Sequence, residues 1–173
     1  DMEILSYVIE GALAHQDSIG NKAVIRPGEL QRMSAGTGVR HSEQNELKDK
    51  PTHFLQIWIM PEANGLAPSY GQKNFVEDFT GGDLVLVASQ GGKLGSVSLN
   101  QDVNLYAAKS EKAGEKKFQT SPQRYLWVQV IRGEVSANGE KLQAGDGAGL
   151  QRIEDLTLSW SAGSEFLFFD MVA

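Results

Sequence analysis

The sequence predicts an all-β protein, and three observations carry that prediction. Apolar runs rich in β-branched and aromatic residues recur along the 173 residues, turn-forming clusters separate them, and no long stretch keeps a helical period. In order, the runs are EILSYVIEG (3–11), AVIRPGEL (23–30), HFLQIWIM (53–60), DLVLVAS (83–89), GSVSLN (95–100), RYLWVQVIRG (124–133), LTLSW (156–160) and EFLFFDM (165–171). Each has the length of a strand. Between them DSIGNK (17–22), RPGE (26–29), NGE (138–140) and AGDG (144–147) supply turn chemistry. Such spacing predicts a β-sandwich or barrel. The mixed-charge stretch KSEKAGEKK (109–117) reads as a solvated loop, and 110–120 is where the absence of a helical period is least clear-cut.

An internal repeat organises these runs. VIEGALAHQDSIGNKAVIRPGE (8–29) aligns with VIRGEVSANGEKLQAGDG (130–147): a strand ending in V-I-x-G, a hairpin, and a closing P/A-G-E/D turn. PEANGLAPSYGQ (61–72), with its prolines and glycines, reads as a linker, so the expected domains are 1–70 and 71–173. The chain opens at Asp1 directly into an apolar run, so further residues are expected upstream.

Composition narrows the chemistry. A net charge of −6 and a pI near 5.1 argue against direct nucleic-acid binding, which needs cationic surface. There is no apolar run of membrane-spanning length and no signal-peptide pattern, so a cytoplasmic location is expected. Cysteine is absent, which removes disulfides, thiolate metal sites and cysteine nucleophiles at once. No G-x-S-x-G elbow is present. AGTGVRH (35–41) lacks the third glycine of a dinucleotide loop and leads to a strand rather than a helix, so it reads as a turn.

What remains is histidine and carboxylate. His41 and Glu43 stand two apart, so on a strand their Cβ atoms share one face about 6.5–7 Å apart. Imidazole plus carboxylate suits Fe, Mn, Ni, Cu or Zn; a solvated strand end is the plainer reading. His15 precedes an Asp-Ser-Gly turn and reads as a surface or turn histidine. His53 opens a strand after Pro51; it either lines a cavity with Gln56 and Trp58 or merely starts the strand. Met33 and Met60 read as core, and Trp127 and Trp160 as filling of the second domain.

Residues 1–60 resemble the metal-binding half of the pirin family of the cupin superfamily. The likeness rests on E-G (10–11), H-x-D-S-x-G-N (15–21), P-G-E (27–29), M-S-A-G-x-G (33–38), H-S-E (41–43) and the strand LQIWIM. The second half resembles the pirin C-terminal barrel, which holds no metal. The resemblance implies a bicupin, its first barrel N-terminally truncated. It puts His41 and Glu43 among the metal ligands, with two further histidines expected upstream of Asp1 as His-Pro-His. Glu3 falls on the glutamate of the first cupin motif, which is not a ligand in this branch. The implied activity is a quercetin (flavonol) 2,3-dioxygenase using O2 and a divalent metal, Fe(II) first and Cu, Ni, Mn, Co or Zn as alternatives. Glu43 would act as base. The alternatives are a non-catalytic metal-binding regulator acting through protein partners, and a barrel that binds a small ligand without metal.

Overall fold

The structure is a computed structural model and describes residues 1–172. Its strands are β1 (Glu3–Glu10), β2 (Leu13–Asp17), β3 (Lys22–Ile25), β4 (Glu29–Ser34), β5 (His41–Asn45), β6 (His53–Ile59), β7 (Ser69–Asn74), β8 (Val85–Gln90), β9 (Val97–Leu99), β10 (Val103–Ser110), β11 (Gly114–Gln119), β12 (Arg124–Arg132), β13 (Glu134–Ala137), β14 (Glu140–Gln143), β15 (Gly147–Gln151), β16 (Asp155–Trp160) and β17 (Ser164–Val172). Two single-turn 3₁₀ helices, Asp78–Gly81 and Lys93–Gly95, are the helical content of the described residues. None is long and apolar enough to cross a membrane.

The chain forms two compact units. The first is Asp1–Val76 with Gln90–Gln101, and the second is Glu77–Ser89 with Asp102–Ala173. The return of 90–101 to the first unit has a local cause. Glu3 is fully buried there, and its carboxylate accepts hydrogen bonds from Asn100 N (2.7 Å) and Nδ2 (2.8 Å), while Arg32 Nε donates to the Ser98 carbonyl (2.9 Å). A buried carboxylate needs such donors.

In the first unit a sheet of order β6-β1-β4-β7 faces a sheet of order β3-β2-β5, all neighbours antiparallel. Val8, Leu13, Ile25 and Phe54 close one end with hydrocarbon. In the second unit the order runs β15-β12-β17-β10-β8 in one sheet and β11-β16-β13-β14 in the other. Its core contains Leu126, Val128, Val130, Leu156, Leu158, Trp160, Phe166 and Phe168.

The V-I-x-G repeat is the same corner built twice. β1 pairs with β6 and β4 as β12 pairs with β17 and β15, and each long pairing carries one bulge, between Val8 and Glu10 and between Val130 and Arg132. The following glycines, Gly11 (φ +81°) and Gly133 (φ +76°), turn the chain in the left-handed region. A Cβ on Gly11 would lie 2.6 Å from the Pro51 carbonyl, and one on Gly133 2.8 Å from Ser164 Cα. Both corners therefore pack against the start of the next long strand.

Several expectations are corrected. The stretch read as a linker contains the start of β7, which is hydrogen-bonded to β4 from Glu29↔Asn74 to Ser34↔Ser69. The stretch read as a loop contains most of β11, which pairs with β16 through exposed, polar residues. Met60 lies just past the end of β6 and is 70% exposed, whereas Met33 is buried. Trp127 is 40% exposed because it falls on the outward-facing positions of β12, where its ring lies over Gly147 and Gly149; Trp160 is buried.

Candidate metal centre

β5 begins as the turn 35–40 releases the chain. Gly36 (φ +49°) and Gly38 (φ +134°) turn it, and Thr37 N donates to the Leu66 carbonyl (2.9 Å). β5 then pairs with β2 so that His15 stands opposite Glu43 and Asp17 opposite His41. Alternation directs His41 and Glu43 to one face. His41 is exposed and Glu43 is half-buried.

The Glu43 carboxylate is held at both oxygens. Ser6 Oγ donates to Oε1 (3.1 Å) and Gln56 Nε2 donates to Oε2 (2.7 Å); Trp58 Nε1 in turn donates to Gln56 Oε1 (3.1 Å). Ser6 and Gln56 are direct cross-strand partners, and Ser6 also faces Gln31, which faces Gln72. A polar row Gln56–Ser6–Gln31–Gln72 thus crosses the four-stranded sheet beneath β2 and β5.

His15 is buried in this layer, contrary to the reading as a surface or turn residue. Its Nε2–H donates to Asp17 Oδ2 (3.2 Å), since an ionised carboxylate can only accept, and Gln31 Nε2 then donates to Nδ1 (3.2 Å). His15 Nδ1 lies 3.8 Å from Glu43 Oε1. The His15 and His41 rings stack at 5.7 Å with 19° between planes, and the Tyr70 ring lies 5.2 Å from His15. Sequence reasoning missed His15 because its burial comes from pairing with β5 and packing on β4; the H-x-D-S-x-G-N motif was the only local signal.

Asp17 anchors the hairpin. Burial pushes its carboxyl pKa up, but hydrogen bonds from Asn21 Nδ2 and N, His15 and Ile19 N outweigh burial and bring it down to about 2. Burial pushes the Tyr70 phenol up to about 12, aided by the charges of Asp17, Glu29 and Glu43. His53 is exposed at the start of β6, opposite Glu10, and does not join the cluster.

His41 and Glu43 carry the right donor chemistry for a borderline divalent cation. His15 is committed at both nitrogens, and among the described residues no group of three or more His, Asp or Glu forms a metal-holding cluster. These two side chains therefore fit a cation as part of a donor set, one that the described residues do not complete.

Comparison with known proteins gives two family matches, to Pirin over residues 1–59 and to the quercetinase C-terminal cupin domain over residues 86–171. The quercetin 2,3-dioxygenase of Escherichia coli (strain K12) is 43% identical over 171 residues, covering 99% of this chain and 73% of that protein. The crystal structure of YhhW from Escherichia coli superposes with a TM-score of 0.92 at 42% identity, over 99% of this chain and 72% of that one. The structure of the bacterial pirin YhhW in complex with nickel(II) gives 0.91 at 41% identity, over 99% and 73%.

Proposed function

The chain belongs to the pirin family, and from that footing we propose that it is a metal-dependent dioxygenase that oxidises a flavonol such as quercetin with O2. The observation that carries this reading is the Glu43 carboxylate: it shares a strand face with His41 and is held by one donor on each oxygen. A carboxylate offers about four lone-pair sites. Ser6 and Gln56 use two, leaving one for a cation and one for a substrate proton.

In this reading His41 and Glu43 contribute to the donor set, with the His-Pro-His pair that the resemblance puts ahead of Asp1 as the remainder. A first-row divalent cation, when bound, supplies Lewis acidity and a template for vicinal oxygens. The relative solved with nickel(II) makes such a cation reasonable here, and imidazole with carboxylate suits Fe, Mn, Ni, Cu and Zn alike. Glu43 accepts the hydroxyl proton of the flavonol, leaving an electron-rich enolate for O2. Ser6 and Gln56 keep the carboxylate from rotating during that transfer. Trp58 donates to Gln56, the residue that holds Glu43 Oε2, and its aromatic surface is largely exposed.

The test is oxygen consumption. The natural protein carrying this chain, loaded in turn with Fe(II), Ni(II), Mn(II) and Cu(II), is expected to consume O2 with quercetin in at least one form. No uptake by any cation-replete form sinks the dioxygenase reading and leaves a binding protein.

A further inference from the structure

The internal repeat provides a control for the polar layer of the first unit. Corresponding strands pair in the same register, so residues can be matched one to one. Ser6 stands opposite Gln31 and Gln56, and Val128 stands opposite Ala148 and Phe168. His15 stands opposite Glu43, and Ala137 opposite Leu158. His41, two residues before Glu43, corresponds to Leu156. Five of these six counterparts, Val128, Phe168, Ala137, Leu158 and Leu156, are at most 2% exposed in the hydrocarbon core of the second unit. The fold therefore closes with hydrocarbon at these positions when nothing else is asked of them. In the first unit the same positions hold a hydroxyl, two carboxamides, two imidazoles and a carboxylate. One of them is left incompletely satisfied: Gln31 is fully buried and its Oε1 has no hydrogen-bond partner among the described residues. Of these, Ser6, His15 and Gln31 are buried and Glu43 is half-buried, while His41 and Gln56 are exposed; burying polar groups opposes folding, so the presence of the buried ones here follows from function.

Within that layer His15 takes no part in proton transfer or cation binding. Both of its nitrogens are engaged, by Asp17 and Gln31, so the ring cannot flip or rotate without stranding two buried groups. Its face stacks on His41, and its Nδ1, which accepts from Gln31, lies 3.8 Å from Glu43 Oε1, so the ring borders that carboxylate without bonding to it. We propose that His15 is a positioning residue, a fixed plate locked by Asp17 and Gln31 that holds the His41 imidazole and the Glu43 carboxylate in their cation-binding orientation. This rests on the reading of His41 and Glu43 as cation donors.

The experiment has two readouts on the natural protein carrying this chain. The first, free of cation, is the ¹⁵N-resolved imidazole signals of His41, expected as one narrow set in wild type and broadened or doubled in His15→Phe. The second is Co(II) titration followed by its d–d absorption. His15→Phe should weaken Co(II) binding roughly tenfold or more and alter the band shape, the size usual for outer partners of metal ligands. Gln31→Met, which leaves the ring but frees Nδ1, should shift both readouts in the same direction by less, and it guards against a His15→Phe chain that does not fold. The proposal is overturned if folded variants keep wild-type His41 signals and Co(II) affinity. It is equally overturned if affinity falls only in step with the melting temperature of the cation-free protein. Should wild type bind no Co(II), the cation reading fails by itself, and the His41 signals alone decide whether His15 positions it.

Discussion

At the scale of single residues, His41 and Glu43 differ in what their removal should do. Glu43→Gln keeps the shape of the side chain and a carbonyl oxygen, but loses charge and basicity, so turnover of quercetin should fall by at least two orders of magnitude, the usual share of a general base. His41→Ala removes a nitrogen donor outright and should lower bound metal more than Glu43→Gln does. Elemental analysis beside oxygen uptake checks both. Equal activity in Glu43→Gln would remove its role as base. Asp17 makes a separate prediction about acid. Its carboxyl pKa drops from 3.8 to about 2 on folding, so its contribution is present above about pH 4 and is lost as the pH falls toward 2. The shift corresponds to about 2 kcal/mol. Asp17→Asn should flatten the acid limb of a urea-denaturation stability curve over that window. These residues also mark the reach of sequence reasoning. The two-residue spacing of His41 and Glu43 is local and can be read directly. The place of His15 depends on a partner 28 positions away, Glu43, and on Gln31 of β4, which no local pattern encodes.

At the scale of elements, the repeated V-I-x-G is legible because its cause is local: a bulge at Ile9 or Ile131, then a glycine with positive φ. The strands that escaped sequence reading, β7 (SYGQKN) and β11 (GEKKFQ), are polar on most positions. They are strands because an already apolar neighbour offers a backbone ladder, and hydropathy alternation does not report that. The glycine corners yield a graded prediction. Gly133→Ala meets both a left-handed backbone and the Ser164 Cα at 2.8 Å, so it should cost about 2–4 kcal/mol. Gly139, at φ +90° in the β13–β14 turn, is open to solvent on that side: a Cβ there would meet no atom within 4 Å, so Gly139→Ala should cost only about 1 kcal/mol. Urea midpoints of the two variants measure the difference; equal costs would mean the corner does not depend on close packing.

At the scale of the whole molecule, the chain carries one fold twice with opposite interiors. The second unit fills the shared positions with buried Val128, Ala137 and Leu158, while the first holds buried Ser6 and His15 and half-buried Glu43 there. Natural proteins accept such local loss of stability where a site requires it. Rewriting part of the first interior in the terms of the second tests this trade. Ser6→Val with Glu43→Leu removes a half-buried carboxylate together with the hydroxyl that serves it. Replacing both partners of a polar pair by apolar groups of fitting shape is near neutral or stabilising, whereas removing one leaves the other unsatisfied. The double variant should therefore melt at or above the wild-type temperature in the absence of cation. The single Ser6→Val change should lower it, because Glu43 Oε1 loses its donor and the neighbouring His15 Nδ1, itself an acceptor, cannot replace it. Metal content and quercetin-dependent oxygen uptake should vanish in the double variant. A double variant less stable than Ser6→Val alone would mean that the polar layer holds the first unit together, and that its chemistry is a by-product of folding.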